Sequence, residues 1–215
     1  MPELDRAQFA LNALHQECAR CTACGLAKAR TNVVPGEGPA SAHVLFIGEG
    51  PGYHEDKQAR PFVGAAGQLL THLIEVAGLK RSDVYITNVV KCRPPNNREP
   101  LPGEIEACRQ WLDRQMDIIR PRIIVTLGRF SLARFLPKES VSKVHGAPRR
   151  YNGVMILPML HPAAALYQQS LRKTLEDDFK KLPALLAQAQ VEAAQPAPAV
   201  QTKPPEEKPQ QMSMF

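Results

Sequence analysis

The chain has 215 residues, 44% of them hydrophobic, with 27 Lys and Arg against 21 Asp and Glu and a net charge of +6. That length holds one domain with a proper core plus an appendage, while no apolar run approaches the ~20 residues of a membrane helix. The opening "MPELDRAQFALNALHQ" lacks the long apolar core of a secretory leader. The last 25 residues set Lys203 and Lys208 against Glu192, Glu206 and Glu207, so the positive charge resides in the body and suits a polyanionic partner.

The first chemistry-bearing feature is Cys18-x2-Cys21-x2-Cys24, close behind a helical N-terminal stretch, with Cys92 and Cys108 far downstream. An intracellular chain does not favour a disulfide framework. A thioredoxin-like redox pair belongs at a strand-to-helix junction, and these cysteines precede the first strand. Four thiolates drawn from two pairs suit a tetrahedral metal or an iron–sulfur cluster; scattered free thiols are the plainer alternative. Spacing alone does not separate zinc from iron–sulfur.

Four short, β-branched, almost wholly apolar runs follow: 43–48 "HVLFIG", 84–90 "VYITNVV", 122–128 "RIIVTLG" and 154–159 "VMILPM". Such runs predict strands buried on both faces of a parallel sheet. Helical patterns over 65–78, 102–119, 129–136 and 171–189 alternate with them, so the predicted class is a doubly wound α/β domain. Ligands in such sheets sit at the carboxyl ends of the strands. The stretch "GEGPGYHEDKQARPFVGAAG" leaves the first strand at that end, and Asn88 and His161 stand at the same end of theirs. Its five glycines match neither nucleotide template, because no Gly-Lys-Ser/Thr follows and Tyr53 occupies the third glycine position of the dinucleotide fingerprint. They suit backbone amides that approach a ligand closely, or, more plainly, a strand-to-helix turn with a few surface charges. From residue 191 the chain turns Pro-, Ala- and Gln-rich, as a linker does, and it closes on "QMSMF".

The blocks "GEGPGYHED", "RPFVGAAGQLL", "YITNVVKCRPPNNREPLPGEIEAC" and "PMLHPAA" resemble the signature blocks of family 4 uracil-DNA glycosylases, in order, from about residue 21 to 182. The resemblance implies a three-layer α/β/α domain with a central parallel four-stranded sheet, set over residues 1–190, and the composition beyond it marks a 191–210 linker and a 211–215 terminal peptide. It also implies a [4Fe–4S] cluster on Cys21, Cys24, Cys92 and Cys108, with zinc as the other occupant and Cys18 left over as a structural thiol or alternative ligand. The implied activity is hydrolysis of the N-glycosidic bond of uracil in single- or double-stranded DNA, opening base-excision repair.

Residue by residue, the resemblance implies that Phe62 stacks on a flipped uracil. The Asn88 amide pairs with its N3–H and O4 and leaves cytosine's opposite pattern unmatched. His161 faces O2, where negative charge builds, and Glu49 steadies the positive sugar or orients the water. Gly48 and Gly50 line the pocket, Glu55 crowds the uracil C5 position, and Leu166 wedges into the duplex. Three have a plainer reading: Phe62 as core, Asn88 as a turn cap, His161 as a structural residue before Pro162. After "HPAA" the sequence departs from the family, with Tyr167, Gln168 and Gln169 where Arg, Asn and Pro are common, leaving Arg172 or Lys173 as the nearby cation.

The terminal "QMSMF" resembles a bacterial sliding-clamp-binding peptide, with Gln211 at the pocket mouth and Met214 and Phe215 as anchors. A monomer in the cytoplasm, associated with the nucleoid, is the expected setting. A non-catalytic iron–sulfur damage sensor or clamp adaptor on the same fold is the competing reading. A third is the sister group that traps DNA covalently, which carries a basic, His-containing insertion where this chain reads "RPPNNREP".

Overall fold

A computed structural model describes residues 3–194. The expected linker beyond residue 194 and the peptide with Gln211, Met214 and Phe215 lie outside the described residues.

The apolar runs become strands because each buries both faces. The strands are β1 (Val44–Gly48), β2 (Tyr85–Asn88), β3 (Ile123–Leu127), β4 (Arg149–Tyr151) and β5 (Val154–Met159). They form one sheet in the order β2-β1-β3-β5-β4, in which β2, β1, β3 and β5 run parallel and β4 pairs antiparallel with β5. The expected four parallel strands are therefore present, with one added edge strand. That strand comes from a two-residue hairpin at Asn152 and Gly153, whose φ angles of +47° and +83° are what an Asn-Gly turn supplies.

The helices are α1 (Glu3–Ala19), α2 (Tyr53–Gln58), α3 (Ala65–Val76), α4 (Pro102–Ile119), α5 (Arg129–Ala133), α6 (Val141–Val144), α7 (Pro162–Tyr167), α8 (Ser170–Phe179) and α9 (Leu182–Ala194). The pattern expected over 171–189 resolves into α8 and α9, and α9 runs four residues past the expected domain boundary at 190. The glycine loop holds a short helix, α2, that its polar sequence gives little sign of.

Strand alternation sorts the core into two layers. Val44 and Phe46 of β1 join α3, α8 and α9 on one face, where Phe46 stacks on Phe179 at 5.9 Å. Leu45 and Ile47 join α1 and α4 on the other. Both faces of β1 are covered, and β1 runs out at its carboxyl end toward the glycine loop. No helix among the described residues is long and apolar enough to cross a membrane.

Candidate active site and cysteine cavity

The carboxyl ends of β1, β2 and β5 meet at a cleft of about 420 Å³. Register explains the meeting. Gly48 pairs with Asn88 as the last rung of β1 and β2, and the chain stays in step beyond them, with Val89 and Val90 amides donating to the Gly48 and Glu49 carbonyls. A Cβ on Gly48 would run into the Asn88 side-chain oxygen and the Phe62 ring. Only glycine at that rung lets the amide and the aromatic converge.

Asn88 is 1% exposed, and its Oδ1 has no hydrogen-bond partner. A buried polar atom left unpaired is costly, so an amide lining a cleft with one end unmatched is a strong sign of a ligand-facing group. Phe62 is buried, lies on the same cleft, and holds a φ of +52°, a left-handed conformation rare for an aromatic residue. Four neighbours keep it there. Arg81 donates to the Pro61 carbonyl at 2.6 Å and the Phe62 carbonyl at 3.2 Å. Glu55 Oε1 accepts from the Val63 and Gly64 amides at 2.9 Å each. Gly67 in α3 sits so close to the Phe62 carbonyl that a Cβ would overlap it, and Thr71 shares Arg81. Glu55 therefore has a structural task in addition to lining the cleft.

His161 lies over Phe62, with ring centroids 5.7 Å apart and planes 28° from parallel. It also caps α7: its Nδ1 accepts the Ala163 amide at 3.1 Å. An Nδ1 that accepts carries no proton, so the neutral ring has its N–H at Nε2. Burial lowers the pKa to about 4 against the opposing pull of Glu55, and the ring is neutral at physiological pH. Glu49 follows Gly48 directly, half-buried. Its carboxyl is held above its ordinary value by burial first, then by Glu99, with Arg129 partly offsetting. Arg129 and Glu99 form an ion pair that bridges α5 to the 93–100 loop.

Of the residues singled out from the sequence, Glu49, Gly50, Glu55, Phe62, Asn88 and His161 line the cleft together, and Gly48 packs against Asn88 and Phe62. Leu166 does not join them; it is half-exposed in α7 and lines a neighbouring open groove with Leu69, His72 and Arg172. The other side of the cleft is built from Pro94, Asn97 and Arg98, which the residue reading passed over. So was Arg81, a cation outside every quoted motif, whose task shows only in three dimensions.

Behind β2, on the α1/α4 face, Cys18, Cys21, Cys24, Cys92 and Cys108 line one small apolar cavity with Lys91 and Trp111. Among the described residues no three His, Cys, Asp or Glu side chains are grouped to hold a single metal ion. N–H groups point at three of the sulfurs: Arg30 at Cys92 (3.2 Å), the Lys91 amide at Cys108 (3.2 Å) and the Trp111 indole at Cys21 (3.4 Å). That is the outer hydrogen bonding that thiolate-held metal groups use. Burial pushes the Cys18 and Cys108 thiols up to about 12 and about 11. They stay protonated at neutral pH unless a metal displaces the proton.

A profile of the uracil DNA glycosylase superfamily matches residues 35–186. A type-4 uracil-DNA glycosylase of Sulfurisphaera tokodaii is 52% identical over 182 residues, covering 80% of this chain and 83% of the relative. The type-4 enzyme of Archaeoglobus fulgidus is 46% identical over 190 residues, 84% of this chain and 95% of that one. That of Thermotoga maritima is 49% identical over 167 residues, 75% and 87% of the two chains.

Because Gly67 supports the Phe62 backbone directly, Gly67→Ala should lower the melting temperature by several degrees, as a local loss of about 1–3 kcal/mol requires. Thermal unfolding followed by circular dichroism checks this; an unchanged midpoint would mean the 61–64 turn is not held from α3.

Proposed function

This chain belongs to the uracil DNA glycosylase superfamily, and on that premise we propose how its cleft works as a uracil-DNA glycosylase, hydrolysing the bond between uracil and deoxyribose to begin base-excision repair. The observation that carries the assignment of roles is the partnerless, buried end of the Asn88 amide, set beside an aromatic wall and a neutral histidine in one cleft.

The target nucleotide must leave the stack for its C1′–N1 bond to be reached. Phe62 then stacks on the base face, a contact worth about 1–3 kcal/mol. Asn88 accepts from uracil N3–H and donates to O4. Cytosine offers an acceptor at N3 and a donor at C4, and so leaves buried groups unpaired. Glu55, fixed by two amides, stands where a C5 methyl group would intrude. As the C1′–N1 bond lengthens, its electron pair moves onto uracil and charge gathers at O2, where the His161 Nε2–H donates. A neutral donor suits this task, since it stabilises the anion without surrendering its proton. The sugar becomes electron-poor, and the Glu49 carboxylate both steadies it and orients the water that adds to C1′. The departing uracil anion takes up the proton that water releases. Leu166, exposed on the neighbouring groove, fills the gap in the duplex.

We assign a [4Fe–4S] cluster to Cys21, Cys24, Cys92 and Cys108, supported by the shared cavity and the N–H groups on three of its sulfurs. Bound there, it ties the N-terminal segment to the loop after β2 and to α4; hydrolysis moves no electrons and asks no redox duty of it. Cys18, fully enclosed in the same cavity, packs as a structural thiol. The "QMSMF" peptide with Gln211, Met214 and Phe215 is a sequence-level candidate for docking on a sliding clamp, which would hold the monomer on cytoplasmic, nucleoid DNA.

Strand scission after alkali, on oligonucleotides carrying one uracil, tests the reading. Wild type should cut, and Glu49→Gln and His161→Ala should each lose on the order of 100-fold in kcat. Glu49 must be ionised to act and its pKa is raised, so kcat/KM should fall as pH drops, with the limb above the ordinary 4.5. His161 contributes no limb near 6.5 because it stays neutral down to about 4. Binding without scission on every substrate would leave the damage-sensor reading instead.

Iron and sulfide analysis of anaerobically purified protein checks the cysteine assignment. Cys21→Ala and Cys92→Ala should lose the visible chromophore and much stability, whereas Cys18→Ala should keep the chromophore. Retained colour in Cys92→Ala would overturn the ligand set.

A further inference from the structure

Lys91 links the cysteine cavity, which it lines, to Asn88 of the cleft. It follows β2 by three residues and is 1% exposed, which is rare for lysine without a charged partner. Its Nζ donates to Thr87 Oγ1 at 2.6 Å, to Gln115 Oε1 at 2.7 Å and to the Asn88 backbone carbonyl at 2.8 Å. Those three bonds use all three ammonium hydrogens. No carboxylate is among its partners. Its backbone faces the other way: the Lys91 amide donates to Cys108 Sγ at 3.2 Å, its carbonyl accepts the Val34 amide at 2.8 Å, and Cys92 comes next in the chain.

The acceptors are themselves anchored. Gln115 Nε2 donates to the Pro35 carbonyl at 2.8 Å and to Tyr85 Oη at 3.0 Å, and Thr87 Oγ1 donates to Pro35 at 2.7 Å. Lys91 thus belongs to a polar network under β2 that continues through Tyr85 Oη to His15 at 2.6 Å, and it meets the cleft at the peptide of Asn88. An ammonium enclosed among neutral oxygens lacks a counter-charge, and that is expensive to bury. Lys91 also lines the cysteine cavity together with Cys92 and Cys108, two of the four residues assigned to the metal group. Thiolates holding a metal group are net anionic and meet that need.

We propose that Lys91 is a positioning residue for base recognition: it pins the Asn88 peptide from below, fixes the direction of the uracil-reading amide, and draws its counter-charge from the group held by the cysteines. The cysteine site thereby supports base recognition through one lysine, beyond stapling the chain. The inference rests on Asn88 being the base reader, as argued above.

Inhibition of strand scission by free uracil, measured on the full chain, tests it in three variants: Lys91→Met, Thr87→Val and Thr87→Ser. Visible absorbance per protein and melting temperature are recorded for each. Lys91→Met and Thr87→Val should raise the uracil inhibition constant at least fivefold with the chromophore retained, and Thr87→Ser, which keeps the oxygen, should restore it. An unchanged inhibition constant in a coloured Lys91→Met protein overturns the proposal. So does a weakening that tracks loss of colour alone, which would assign Lys91 to the cysteine site only. If Lys91→Met does not fold, Thr87→Val decides, and wild-type inhibition there overturns it. Wild type that neither excises uracil nor is inhibited by it refutes the glycosylase assignment itself, and this inference falls with it.

Discussion

Parallel pairing of β1 with β2 in a register that ends on Gly48 opposite Asn88 is the constraint from which the rest of the site follows. A side chain at residue 48 would occupy the space that the Asn88 amide and the Phe62 ring share. With glycine there, the two strands can close fully and still leave a recess at their carboxyl ends. Glu49 then emerges beside the recess, the glycine loop folds over it, and His161 arrives from β5 across the sheet. A shift of one residue in that register would turn Asn88 into the core and Thr87 into the cleft.

The recess is kept at some cost. Phe62 sits in a backbone conformation that aromatic residues avoid, held by Arg81, Glu55 and Gly67. His161 is buried as a neutral ring, and burial together with Glu99 holds the Glu49 carboxyl above its ordinary value. Asn88 carries an unmatched acceptor. Each of these is a local penalty of the kind that clusters where a ligand completes the structure. Beneath them the polar network of Lys91, Gln115, Thr87 and Tyr85 is fully bonded, so the strained layer rests on a satisfied one.

Much of this is legible in the residues. The four parallel strands announce themselves because burial on both faces leaves little but Val, Ile and Leu, and α4 follows from its helical periodicity over 102–119. The placement of Gly48, Glu49, Asn88 and His161 at strand ends follows once the strands are found, whereas Phe62 reaches the cleft from the turn between α2 and α3, and the family resemblance supplies their roles. Other features leave weak traces. The edge strand β4 is three residues long, though its Asn152-Gly153 turn is a signal that could have found it. α2 is six polar residues inside a glycine loop. Arg81 and Lys91 act through partners distant in sequence, Pro61 and Phe62 for one, Gln115 for the other. A cation's long-range partner has no periodicity and no spacing rule, so no reading of neighbours reveals it. His161 as the N-cap of α7 is likewise a pairing made by geometry, since Ser, Thr, Asp and Asn are the residue types expected there.

The central claim is that the Asn88 amide, set by the β1–β2 register, distinguishes uracil from cytosine. The most direct measurement is the single-turnover excision rate on two oligonucleotides identical except for uracil or cytosine at one position, for wild type and Asn88→Ala. The account predicts that wild type cuts only the uracil strand, and that Asn88→Ala loses on the order of 100-fold or more on uracil while gaining nothing on cytosine. Undiminished uracil excision by a folded Asn88→Ala protein would contradict it.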